Sequence, residues 1–490
     1  MIKDFFKKYW YQLLIVIIIA FGAFLRLKGF VANPSLWHDE CALGWNIKFK
    51  SYIELFGHLR FLQVAPPLFM VATKFLINLF NASNNPNLFD FITKIIPFTC
   101  GTLSIFVFYQ ICKSVFTTKK TIALALFLFA INATLINYSF EFKQYGSDMF
   151  CILLVILFFI KLNLSKINYK NLILASAGFS LLIWFSFTTV FFIGAGFINL
   201  LLKRKNIKKI LILFLPIFIS ILLYLKFYLL GTYHDNSKGM LGFWANEFVL
   251  PNLSNLLYLL VENIKYFFHP AKCVLFFIVL MIGGIFIFFK EKKYEFINII
   301  LLAFLFLIIA STMHFYPFAK RLILFLIPIF ILLLTKPLDR VNFSNRIKSF
   351  FVLLMLICIL LPQLFATFHY LKIKRLNKGE FPREMMEYMI HNLKPTDIIF
   401  VNKASNIDYY YYSSFYSFKN QAIIERMTDK PDKEYLDFLN SLPKGNYWFF
   451  LPYDSSRLKV IGYLKNWTKE NTKIIYKNEA SQSVLIYLKK

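Results

Sequence analysis

Charge is scarce in this chain, and acid is scarcer than base. Of its 490 residues only 17% are charged, and 26 Asp and Glu stand against 55 Lys and Arg. Soluble domains average about 25% charged residues over the whole chain, and with the long apolar runs below this excludes an ordinary water-soluble protein. The net charge of +29 does not read as a nucleic-acid patch, because Lys and Arg are scattered over short loops between apolar runs. The six cysteines (Cys41, Cys100, Cys112, Cys151, Cys273 and Cys358) form no CxxC and no His/Cys ligand spacing. That excludes a disulfide framework and a structural zinc site. The glycines form neither GxGxxG nor GxxxxGK, so no nucleotide loop is present. No repeat stands out. No small-residue cleavage site follows the first apolar run, which reads as a retained helix rather than a signal peptide.

What is abundant is apolar: 58% of residues are hydrophobic and 61 are Phe. Runs of about 18 or more apolar residues recur, the length that spans a bilayer as helix. The chain is therefore read as a polytopic α-helical membrane protein. Spans are predicted over 9–27, 91–112, 121–138, 149–162, 171–186, 188–202, 210–230, 271–289, 295–313, 322–335 and 349–367, about eleven in all. Basic residues gather at every second turn, as in Lys113, Lys119 and Lys120, or Lys203, Arg204 and Lys205. That alternation places the N-terminus in the cytoplasm and the C-terminus outside an inner membrane.

Residues 1–370 thus form a membrane module with two long outer loops. Loop 28–90 contains an apolar stretch at 66–80 with Lys74 inside it, read as an interfacial helix. Loop 231–270 carries Asp235, Glu247, Glu262 and His269, and loops of that length are often functional. Residues 371–490 change composition and read as a small α/β domain outside the membrane. Helices are predicted there at 382–393, 432–442 and 455–465, with strands at 398–401, 447–451 and 483–488. The run Tyr409 to Tyr412 reads as strand and packing surface.

Few charges remain for chemistry, and they lie at one depth. Trp37-His38-Asp39-Glu40 follows the first helix, Glu141, Lys143, Tyr145 and Asp148 precede the fourth, and Lys320-Arg321 precede the tenth. Acids can activate a hydroxyl, and Lys and Arg can hold a phosphate. Together they suit transfer of a group from a lipid phosphate to a hydroxyl. The plainer reading is that each pair marks a helix end and snorkels to the interface.

The ordered set Trp37-His38-Asp39-Glu40, Ala65-Pro66-Pro67-Leu68-Phe69, Glu141-Phe142-Lys143-Gln144-Tyr145 and Tyr316-Pro317-Phe318-Ala319-Lys320-Arg321 resembles the GT-C superfamily of polyprenyl-phosphate-sugar glycosyltransferases. It is most similar to bacterial relatives of protein O-mannosyltransferases and of the lipid A aminoarabinose transferase. The resemblance covers nearly the whole chain. It implies Asp39 as the catalytic acid, with Glu40 and Glu141 as further acidic positions. It implies Arg321, with Lys320 and Lys143, as ligands of the donor phosphate, and inversion in one displacement. His38, Trp37, Tyr145 and Asp148 are further candidates. Many relatives carry His or Lys where Ala65 stands, so a phosphate contact is either missing here or supplied elsewhere, with Lys74 and Lys143 as candidates. Some members use a divalent cation; His38 and Asp39 offer two ligands, and two do not define a site. The implied partners are a polyprenyl-phosphate sugar, a glycan, lipid or protein acceptor, and membrane lipid, with no nucleic acid. The competing reading, a flippase for lipid-linked oligosaccharide, would place its ionisable groups mid-membrane between inverted repeats.

Overall fold

The computed structural model describes residues 2–203, 206–226, 241–270, 273–340, 346–372, 380–403, 406–420, 422–425, 441, 445–452, 472–477 and 484–489. The apolar runs are helices, as their length requires. By length and composition, Tyr9–Ala32, Pro86–Val115, Ile207–Tyr224 and Tyr294–Thr312 are each able to cross a membrane. Shorter apolar helices include Tyr169–Phe185, Thr189–Leu202 and Val274–Lys290. Together they make a multi-pass membrane fold.

Several elements differ from expectation. The run 121–138 breaks at Asn132 into Lys119–Ile131 and Ala133–Tyr138. The Asn132 side chain accepts from Leu135 N–H and donates to the Phe267 carbonyl, so it caps one helix while tying it to another. The span predicted at 322–335 is a 3₁₀ turn, Lys320–Ile323, followed by the helix Leu326–Thr335, every residue of which is buried in protein. Its ten residues rise only about 15 Å. Loop 231–270 contains a further helix, Leu253–Phe267, capped by Asn252 and turning Leu259, Asn263, Ile264 and Phe267 inward. The apolar stretch 66–80 is, as expected, a helix, Pro67–Leu79.

The C-terminal sheet consists of β1 (Ile398–Asn402), β2 (Ala422–Glu425), β3 (Asn446–Leu451), β4 (Thr472–Lys477) and β5 (Val484–Lys489). The order is β2-β1-β3-β5-β4. β1 pairs in parallel with β2 and β3, whereas β5 runs antiparallel to β3 and β4. The helix Pro382–Asn392 is as expected. The helices expected at 455–465 and, apart from residue 441, at 432–442 lie outside the described residues. The tyrosine run is not strand: Asn406–Ser413 is a helix. Tyr411 and Tyr412 both donate to the buried carboxylate of Asp90, at 3.0 and 2.8 Å. Adjacent strand residues face opposite ways, so two neighbouring hydroxyls reach one carboxylate only from a helical backbone. Arg383 completes this joint, donating to Asp90 at 2.8 Å and to the Asn33 carbonyl at 2.9 Å. The sheet domain is thereby docked onto the loop that carries Asp39.

Candidate active site

The helix His38–Phe49 begins the site. Glu40, in its first turn, accepts from Trp37 N–H at 3.1 Å, closing the helix start as acids favourably do. Its other oxygen accepts from Phe142 N–H. Glu40 is buried, and both carboxylate oxygens hold backbone, so it fixes loop 28–90 against the stretch carrying Glu141 and Lys143.

Asp39 remains half-exposed on the open side. Arg321 donates to its carboxylate at 2.9 Å; the two side chains are 21% and 25% exposed. The Arg321 guanidinium carbon lies 5.4 Å from the centre of the Trp37 ring and 5.6 Å from that of the Trp244 ring, within cation–π range of both. The Trp37 indole N–H in turn donates to Glu141 at 3.3 Å. Asp39 and Glu141 are the acids whose charge favours the Arg321 cation.

Lys143 is 4% exposed and donates to the Gln63 side chain at 2.9 Å. Burial pushes its pKa down to about 8, with Asp39 pulling it up and Arg321 pushing it down. Two cations and two acids from three separate loops therefore meet here.

The other candidates are directed elsewhere. His38 turns to the sheet domain: Nδ1 lies 3.1 Å from the Asp408 carboxylate, and the backbone N–H of His38 donates to Glu380 at 2.9 Å. Burial pushes the imidazole pKa down, but Asp408, with Asp39 and Glu380, outweighs it and carries it up to about 9. Lys320 approaches Glu247 at 4.0 Å, on the far side of its backbone from Arg321. Asp148 is buried against Ser186 and Thr188, at the turn between two helices. Lys74 donates to the Ile47 carbonyl, whereas Lys143 is the lysine that feels the Asp39 carboxylate. His38 and Asp39 thus face separate partners, and among the described residues no group of three His, Cys, Asp or Glu is assembled for a metal ion. Sequence reasoning missed Trp244, Gln63 and Asp408. Trp244, one of only seven tryptophans and set in a long polar loop, was the one with a visible signal.

No family model matches the chain, and no curated protein matches its sequence. Its fold is nevertheless like that of solved structures. The structure is similar to that of ArnT from Cupriavidus metallidurans in the apo state, with a TM-score of 0.55 at 10% identity over 98% of both chains. ArnT from Cupriavidus metallidurans bound to undecaprenyl phosphate gives a TM-score of 0.56 at 9% identity, over 96% of this chain and 97% of that one. The archaeal oligosaccharyltransferase AglB from Archaeoglobus fulgidus gives 0.45 at 15% identity, over 84% of this chain and 60% of its own.

Proposed function

We propose that this protein is an inverting glycosyltransferase that moves a sugar from a polyprenyl-phosphate donor to a hydroxyl acceptor at the outer face of the inner membrane. The observation that carries the reading is the 2.9 Å pair between Asp39 and Arg321, with buried Lys143 beside it. An acid able to take a proton and cations able to take a phosphate share one opening. The likeness of fold to a protein solved with undecaprenyl phosphate supports a lipid-phosphate donor.

The acceptor hydroxyl attacks the anomeric carbon while the bond from that carbon to the phosphate oxygen breaks. Its proton passes to Asp39. The polyprenyl phosphate leaves with the electron pair, and Arg321 and Lys143 meet its charge. Without donor, Arg321 neutralises Asp39. A bound phosphate competes for the guanidinium and releases the carboxylate to act as base, so donor binding arms the site. Glu141 holds the Trp37 indole beside Arg321, and Glu40 holds the two loops in register. A lipid-linked glycan or surface polymer is the favoured acceptor, ahead of a protein.

The test is release of free polyprenyl phosphate by the purified full chain, given a panel of polyprenyl-phosphate sugars and a crude lipid-linked glycan extract. Release should require acceptor. It should fall about 100- to 10,000-fold in Asp39→Asn and about 100- to 1,000-fold in Arg321→Ala. Undiminished release by both folded variants would overturn the assignment.

A further inference from the structure

Lys320 and Arg321 are consecutive, yet they face different spaces. Lys320 adopts a φ of +25°, a left-handed backbone that non-glycine residues rarely take. The turn is held from outside: Lys320 N–H donates to the Asn263 side chain at 2.6 Å, and Asn263 donates to the carbonyls of Leu259 and Phe318 at 2.8 and 3.1 Å. Phe318 N–H donates to the Glu247 carbonyl at 2.8 Å. This framework sends Arg321 to Asp39 and Lys320 into a second cavity of about 420 Å³.

That cavity is lined by Asn246, Glu247, Asn255, Tyr258, Glu262 and Lys320, over a floor that includes Leu259. Its size falls within the roughly 300–1,000 Å³ of small-ligand sites. The lining argues against two occupants. A polyprenyl tail would strip water from carboxylates and amides without replacing their hydrogen bonds. A phosphate would meet the Glu247 and Glu262 carboxylates, whose partners are Lys320 and Lys265, and so would find no net positive charge. What fits is a neutral, hydroxyl-rich ring. Carboxylates and amides accept and donate to hydroxyls, and the exposed Tyr258 ring offers an apolar face to the C–H side of a sugar. Trp244, beside Arg321, leads directly into the wall at Ala245 to Glu247, so cavity and ion pair share one strip of chain.

We propose that this cavity is a sugar-binding subsite, separate from the phosphate site, that holds a neutral glycan unit beside Asp39. The proposal rests on the transferase reading for its position in the reaction, but the binding of sugar is tested apart from it. Saturation-transfer NMR on the purified full chain would be recorded with methyl glycosides of neutral hexoses and pentoses. At least one glycoside should give transfer in the wild type. The signal should be lost in Ala245→Trp, which fills the cavity, and weakened several-fold in Glu262→Gln, a change at an exposed side chain. It should persist in Asp39→Asn. Absence of transfer from every glycoside, or transfer undiminished in both cavity variants, would overturn the subsite. A wild type that binds glycoside but releases no polyprenyl phosphate would instead overturn the transferase reading and leave the subsite standing. In an active preparation, a rise in KM for acceptor alone in Glu262→Gln assigns the subsite to the acceptor glycan. A rise for donor alone assigns it to the donor sugar.

Discussion

Arg321 and Lys143 carry the same formal charge but answer pH differently. The guanidinium stays charged throughout the working range, whereas burial brings the Lys143 ammonium down to about 8. Lys143 is therefore charged below that pH and loses its proton as pH rises through it. The KM for donor should climb above pH 8 in the wild type, and Lys143→Arg should flatten that alkaline limb. An identical limb in the variant would remove Lys143 from phosphate binding. The residues of this site were legible because charge is so rare in the chain that each acid or base beside a span drew notice. Their pairing was not. Nothing local to Lys320-Arg321 says that one turns to Asp39 and the other to Glu247, since the positive φ that separates them is imposed by Asn263 from another element.

Among the elements, helix-on-helix contact depends on small residues at a few places. A Cβ on Gly284 would lie 2.1 Å from the Leu333 carbonyl oxygen, a backbone atom that cannot swing aside. Close approach through glycine is how membrane helices gain packing without a hydrophobic drive. Gly284→Ala should destabilise by about 1–3 kcal/mol through overpacking, read as a lower thermal midpoint in detergent, while Gly178→Ala, with open space around it, should leave the midpoint unchanged. Equal midpoints for the two variants would refute the close contact. Most helices were visible as apolar runs, because in lipid a backbone must satisfy its own hydrogen bonds. The break at Asn132 and the helix Leu253–Phe267 were not, the first because its partner Phe267 is distant in sequence, the second because its polar face looked like loop. The tyrosine run is packing surface, as expected, but on a helix rather than a strand, with Tyr411 and Tyr412 joined to Asp90.

Across the whole molecule, the sheet domain and the membrane helices meet at the loop bearing Asp39. Among the contacts that hold them are Asp90 with Arg383 and the tyrosines, and His38 with Asp408. Both acids are fully buried, so Asp90→Ala, which takes from the buried Arg383 its nearest carboxylate, should cost about 3–5 kcal/mol and raise susceptibility to limited proteolysis. The His38 pair has a defined pH window. Its pKa is raised from 6.5 to about 9 in the fold, so its contribution is complete below 6.5 and is lost as pH rises through about 9. Protection from protease should decline over that interval in the wild type and be flat in Asp408→Asn. Because His38 precedes Asp39, the same variant should lower kcat more than it raises donor KM.

The sequence alone determined that the chain lives in a bilayer and which few charged residues stand at its edge, because apolar length and the rarity of charge are properties of composition and spacing. It also carried the ordered motifs that resemble GT-C transferases. Only the tertiary structure decided which charge meets which: Arg321 with Asp39, Glu40 with two backbone segments, His38 with Asp408, Lys320 with a second cavity. The physical reason is that burial in a membrane is written locally, residue by residue, whereas an ion pair between positions 39 and 321 exists only once the helices between them have packed.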